Sequence, residues 1–256
     1  MDSQGRRRLP IHDAAHVRNA LARFNQVAFE TEAARDRSRL RLLRAARKHR
    51  IVPVGFIDNQ LRVERAAQRP GQPIPSGFVT LMMTDIEGST ALVGQLGDHY
   101  GELITGCRDL LRTCAEDASG VVIDARADEF FAAFERPSDA IEAAATIQRQ
   151  LAQRSWRDDL PVRVRIGVHS GYPTVTAGNY IGMAVHITAR ICTAAHGGQI
   201  VASGDAKLAL TGAALPGVQW KSLGRHSLRG IPEPVALFQV VAGGLPRQFP
   251  PLRITI

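Results

Sequence analysis

Two aspartates and a glycine-led turn carry the first sign of chemistry in this chain. Asp85 ends a nearly continuous apolar run, Phe78, Val79, Leu81, Met82 and Met83, and Gly88, Ser89 and Thr90 follow at once. A carboxylate at the end of a buried strand, beside a fresh helix N-terminus, suits a cation-bound phosphate: the oxygen serves the metal and open N–H groups serve the anion. Ser89 and Thr90 are good helix caps, so the segment reads as strand, turn and helix. A second carboxylate, Asp128, lies in a tight turn, Arg126 to Glu129, between the strands Gly120 to Ile123 and Phe130 to Phe134. Two carboxylates on neighbouring strand ends, with no Lys or His expected nearby, repel each other unless a divalent cation sits between them. Hard oxygen ligands beside a phosphate cradle point to Mg²⁺ or Mn²⁺. Two such ions could bridge a triphosphate and activate an attacking hydroxyl.

A further cluster is Asn179, His186 and Arg190. His186 and Arg190 are four apart and share a helix face, and Asn179 precedes that helix. A His/Arg pair there could stabilise charge on a phosphoryl group, or form no more than a solvated polar stripe.

The elements that must position these residues follow from periodicity. After the Phe78 strand, Asp98 to Ala118 reads as a helix with Leu103, Cys107, Leu110 and Cys114 on one face. Beyond the two strands around Asp128, Ser138 caps a helix facing inward through Ala140, Ala144, Ile147 and Leu151. Val162 to His169 alternates as a strand, and a Gly/Pro/Thr loop follows. Then come a helix from Gly182 to Ala195, a strand Gln199 to Ala202, a short helix near Asp205, Trp220, and a last strand Val235 to Val241. The order β-α-β-β-α-β, with α-β additions, predicts an α+β split βαβ sheet with helices on one face. In that plan the first strand neighbours the third, so Asp85 approaches Asp128.

Charge divides the chain. Residues 1–77 hold 16 Lys/Arg against 7 Asp/Glu, and residues 78–256 hold 16 against 17. A tail with Arg6, Arg7 and Arg8 precedes helical patterns from Asp13, a cap, to about Arg50; the second helix bears eight basic residues from Arg35 to Arg50. Such a surface suits nucleic acid or an acidic partner, or is simply a solvated face. A short helix near Asn59 to Gln68 and a Pro/Gly linker, Arg69 to Gly77, follow. The expected division is a basic helical extension over 1–68, regulatory or dimerising, a linker over 69–77, the main domain over 78–243 and a tail over 244–256. No segment approaches the ~20 apolar residues of a membrane span and the start lacks a signal-peptide centre, so a cytoplasmic location is expected. Cys107, Cys114 and Cys192 are odd in number and set in apolar patterns, as core residues in a reducing compartment.

Residues 78–241 resemble the catalytic domain of class III nucleotidyl cyclases. The resemblance is carried by FVTLMMTDIEGST, GVVIDARADEFFAAF, VRVRIGVHSG, NYIGMAVHITARICTAAHGGQI and LGRHSLRGIPEPVALFQV, in that order. It implies a ferredoxin-like core with extra C-terminal elements and a head-to-tail homodimer with shared sites. The implied reaction is attack of the ribose 3′-hydroxyl on the α-phosphate, giving a 3′,5′-cyclic nucleotide and pyrophosphate. By position it assigns the metal to Asp85, Asp128 and the Ile86 carbonyl, and the transition-state arginine to Arg190, from the other protomer. Arg229 falls on the triphosphate, and backbone N–H groups from Glu87, Gly88, Ser89 and Thr90 hold the β- and γ-phosphates.

The departures are as informative. Asp124 stands where the family usually has a base-reading lysine and Asn179 where it has that lysine's aspartate partner. His186 matches the transition-state asparagine, and Ala127 the glycine before the second metal aspartate. Asp124 and Asn179 could read adenine or guanine by hydrogen-bond inventory; ATP is expected because adenylate cyclases are the commoner bacterial members. A guanylate cyclase, and a weak or inactive cyclase-fold nucleotide-binding protein, are the alternatives. Ala127-Asp-Glu-Phe130 also looks like the hairpin motif of diguanylate cyclases, but the glycine pair is missing.

Overall fold

The computed structural model describes residues 10–24, 27, 32–49, 51, 74–126, 128–156, 160–176, 178–210 and 215–254. The expected helix near Asn59 to Gln68, most of the linker and Ala127 lie outside the described residues. The chain divides into two compact units, Met1–Gly71 and Gln72–Ile256.

In the first unit, α1 (Ala14–Arg23) begins at Asp13, whose side chain accepts from the His16 amide, and α2 (Glu32–Lys48) follows. Val17, Ala20 and Phe24 pack against Leu42, Ala45 and Ala46 in a small core. Arg37, Arg41, Arg44 and Arg47 are exposed.

The second unit is built on a seven-stranded sheet ordered β2-β3-β1-β4-β7-β9-β8. Its strands are β1 (Val79–Ile86), β2 (Val121–Arg126), β3 (Glu129–Phe134), β4 (Val164–Gly171), β7 (Ile200–Ser203), β8 (Val218–His226) and β9 (Val235–Ala242). Only β4 and β7 pair in parallel. The first four strands therefore run 2-3-1-4, the order of a split βαβ core, and β1 lies beside β3 as the sequence plan requires.

Helices α3 (Ser89–Leu96), α4 (Tyr100–Asp117) and α5 (Pro137–Gln153) cover one face of the sheet. Their buried stripes, Leu103, Cys107, Leu111 and Ile141, Ala144, Ile147 among them, meet Met82, Phe134, Ile166 and Val168. Alternate residues of the same strands point the other way, where α6 (Met183–Ala194) covers the second face through Ala184 and Ile191. Helices thus occupy both faces, not one: α6 is an addition to the split βαβ plan, and the near-continuous apolarity of β1 serves two layers. Two further corrections are local. Pro137 opens α5 with Arg136 as its N-cap, which puts Ser138 inside the first turn. The Gly/Pro/Thr loop contains a small hairpin, β5 (Thr174–Thr176) with β6 (Asn179–Ile181). A last short helix, α7 (Gly204–Leu208), starts under a Ser203 cap. Among the described residues no helix is long and apolar enough to cross a membrane.

Candidate active site

The sheet register builds the first half of the site. Asp85 pairs with Glu129 on β3, so the turn residue Asp128 is one step from Asp85's neighbour. On the other side Asp85 pairs with Arg165 of β4, and the two side chains form an ion pair, both mostly shielded from water. The sequence offered no Lys or His beside these carboxylates; the neighbouring cation is an arginine, Arg165. Its guanidinium also donates to the carbonyl of Thr193, 3.5 Å away in the last turn of α6, where the helix dipole favours positive charge. Burial pushes the Asp85 carboxyl above its usual range; Arg165 pulls it back, and the charges of Asp128 and then Glu129 push it up again. Tyr100, at the start of α4, is held above the usual phenol range by burial and then by Asp128.

Beyond β1 the chain turns through Glu87 and Gly88. Gly88 takes the left-handed conformation (φ 70°) and is the N-cap of α3, with no side chain capping the helix. Ser89 and Thr90 are thus inside the first turn and do not cap it. The first-turn amides of an uncapped helix are donors without intrahelical partners. Glu87 differs, since its amide donates to the Arg163 carbonyl at 2.8 Å. The open donors of this turn accordingly begin at Gly88.

The second half of the site is α6. It sits close on the sheet because Gly167 has no side chain: a Cβ there would lie 2.4 Å from the Cys192 nitrogen. Its buried face is Ala184, Thr188, Ile191 and Cys192, while Met183, His186, Arg190 and Thr193 form an exposed stripe. Arg190 donates through Nε to the Arg229 carbonyl at 3.1 Å, which brings these two predicted residues together in the turn after β8. His186 and Arg190 face outward, away from the buried side that meets β1 and β4.

The two base-reading candidates flank one aromatic contact. A bulge in β2 sets Asp124 opposite Phe131, and Tyr180, next to Asn179, packs edge-on to the same Phe131 with ring centroids 6.1 Å apart. Asn179 accepts from the Tyr180 amide at 2.7 Å through Oδ1, and its NH₂ group is a donor. One oxygen of Asp124 accepts from the Ala125 amide at 3.0 Å.

The donor set fits a hard divalent cation. Asp85 and Asp128 offer oxygen only, Ile86 continues the same strand with its carbonyl, and with Glu129 the cluster holds three formal negative charges against the one of Arg165. Among the described residues, the one group of three converging side-chain ligands lies elsewhere, His12, Asp13 and His16, where hydrogen bonding to Asp13 accounts for it. Sequence reasoning missed Arg165 and Tyr100. The alternation of Val162 to His169 marked the strand without saying what Arg165 meets.

No family model matches the chain. It is 36% identical over 182 residues to an uncharacterized protein of Mycobacterium tuberculosis, a match covering 70% of this chain and 61% of that relative. A receptor-type adenylate cyclase of Trypanosoma brucei brucei is 27% identical over 210 residues, 66% of this chain and 17% of the relative. Among solved structures, an adenylate cyclase from Trypanosoma brucei in its monomeric state superposes with a TM-score of 0.66 at 25% identity, covering 72% of this chain and 97% of the other. The adenylyl cyclase CyaB of P. aeruginosa gives 0.57 at 21% identity, covering 64% and 93%, a likeness of fold.

Proposed function

The larger unit carries the fold of the class III nucleotidyl cyclase catalytic domains, and on that premise we propose that the chain converts ATP to 3′,5′-cyclic AMP and pyrophosphate at a site shared across a head-to-tail homodimer. The observation that carries this reading is the register of β1, which sets Asp85 between the Asp128 turn and β4, directly before an uncapped helix start.

In this reading Asp85, Asp128 and the Ile86 carbonyl hold Mg²⁺ or Mn²⁺, which when bound neutralises the triphosphate and eases loss of the 3′-hydroxyl proton. The amides of Gly88, Ser89 and Thr90 receive the β- and γ-phosphates, aided by Arg229. Arg190 and His186, on the outward stripe of α6, reach the partner's nucleotide and donate to the α-phosphoryl oxygens as charge builds there. Asn179 donates to the ring N1 and Asp124 accepts from the adenine amino group. The names of the adenylate cyclase relatives support the same choice. The three cysteines are free and buried, in keeping with a reducing, cytoplasmic setting.

The test is a product assay. Purified protein with Mn²⁺ and labelled ATP or GTP, at concentrations that permit dimers, should make cyclic AMP faster than cyclic GMP, and Asp85→Ala should make none. Equal output from wild type and Asp85→Ala would instead leave a nucleotide-binding domain without turnover.

A further inference from the structure

The segment after β9, left as a tail by the sequence, is fastened down along its length. Gln239 donates to the Arg247 carbonyl at 3.2 Å, Arg247 donates to Gln219 at 2.7 Å, and Leu245 is buried. Leu252 and Ile254 pack into the apolar cluster formed by Ile187, Ile191 and Ala195 at the end of α6. The Arg253 amide donates to the Ala194 carbonyl at 2.9 Å, which satisfies one of the carbonyls that the end of α6 leaves open.

The Arg253 side chain reaches further. Its Nη2 lies 2.7 Å from Glu87 Oε1, an ion pair by distance that is not aligned as a hydrogen bond, and its Nε donates to His196 Nδ1 at 3.1 Å. Because arginine only donates, that His196 nitrogen accepts, so its proton is on Nε2, which donates to the Pro251 carbonyl at 2.9 Å. Glu87 in turn lies close over Gly197, where a Cβ would come within 2.4 Å of its Oε2. One guanidinium therefore joins the turn that opens α3 to the segment that closes α6. A half-exposed ion pair contributes little stability alone, so the arrangement matters for geometry.

We propose that Arg253 is a positioning residue: the C-terminal strap, residues 249–254, holds the Glu87–Gly88 turn in fixed relation to α6 and so sets the phosphate-binding amides for the nucleotide. This rests on the functional reading above, in which those amides receive the triphosphate. Where sites are shared between two chains, the strap links the phosphate half of one site to the arginine half of the other.

Hydrogen–deuterium exchange on the full-length protein tests this without requiring turnover. Arg253→Ala should speed amide exchange both in residues 87–92 and in residues 194–199. Arg253→Lys, which keeps a charge for Glu87, should restore the first segment more than the second. Glu87→Gln should loosen residues 87–92 in the same way, and adding it to Arg253→Ala should bring little further change. Faster exchange confined to residues 194–199 in Arg253→Ala overturns the proposal, because the strap would then only seal the end of α6. Kinetics give the second readout: KM for the metal–nucleotide should rise about fivefold or more in Arg253→Ala, with kcat changed less than about threefold, and Arg253→Lys should recover KM. An unchanged KM also overturns it. A wild-type protein without cyclase activity removes the proposed reaction but leaves the exchange test intact.

Discussion

Asp85 and Arg165 are register partners on adjacent antiparallel strands, and their side chains close into an ion pair at the place where a cation-binding carboxylate is expected. The pair keeps a shielded carboxylate compensated, and a bound metal ion would compete for the same oxygens. Arg165→Gln should lower stability by about 1–3 kcal/mol, since a lone shielded charge is left behind. Mn²⁺ should raise the melting temperature of this variant more than that of wild type, as read by thermal denaturation with and without the ion. Equal shifts in the two proteins would remove Arg165 as a competitor.

His186 supplies a donor on the outward stripe of α6. His186→Ala should lower kcat about 10²-fold while leaving KM within about twofold, the pattern of an interaction made only in the transition state. His186→Asn, which installs the family's usual donor, should be at least as fast as wild type in a steady-state assay.

In the proposed reading Asp124 contacts the base. Asp124→Ala should reduce the ratio of kcat/KM for ATP over GTP toward one, with the loss of a base-edge contact costing about 1 kcal/mol or more. Competition between the two nucleotides in one reaction measures it directly.

Gly167 permits the close seat of α6. Gly167→Ala forces the helix outward against backbone atoms, so stability should fall by about 1–3 kcal/mol in urea melts. Activity should fall further than stability explains, because His186 and Arg190 ride on the displaced helix.

His169 predicts a pH dependence. It is buried, accepts or donates through Nδ1 to Ser203 at 2.8 Å, and burial holds its pKa below the usual imidazole range despite the pull of Asp205. The unfolded chain therefore takes up a proton, near the ordinary value of about 6.5, before the folded one does. Stability from this group is complete above that value and is lost as pH falls toward the folded pKa. Urea midpoints should drop from pH 7 to pH 5, and less steeply in His169→Gln.

Much of this was legible in the chain because it depended on local pattern. The apolar run of β1, the stripe of α4 and the β-α-β-β-α-β order were enough to bring Asp85 toward Asp128, since split βαβ topology leaves β1 few neighbours. Contacts across long sequence separations were not legible. Arg165 is 80 residues from Asp85, and its role appears only once β4 is laid antiparallel to β1. The edge strand β8 alternates weakly, is mostly exposed and carries a bulge between Ser222 and Gly224, so its sequence showed little beyond Trp220. The β5–β6 hairpin is short, and β5 is wholly exposed, which leaves little hydrophobic periodicity to detect. The docking of Arg253 on Glu87 depends on the course of the whole sheet.

The outward stripe on α6 carries a rule about numbers of molecules. Arg190 stands exposed on the side of α6 away from β1 and β4, so under the proposed sharing dilution alone should silence the chain. Two crippled variants, Asp85→Ala and Arg190→Ala, should then rescue each other on mixing: each mixed pair assembles one intact site, and about a quarter of wild-type output returns for random pairing.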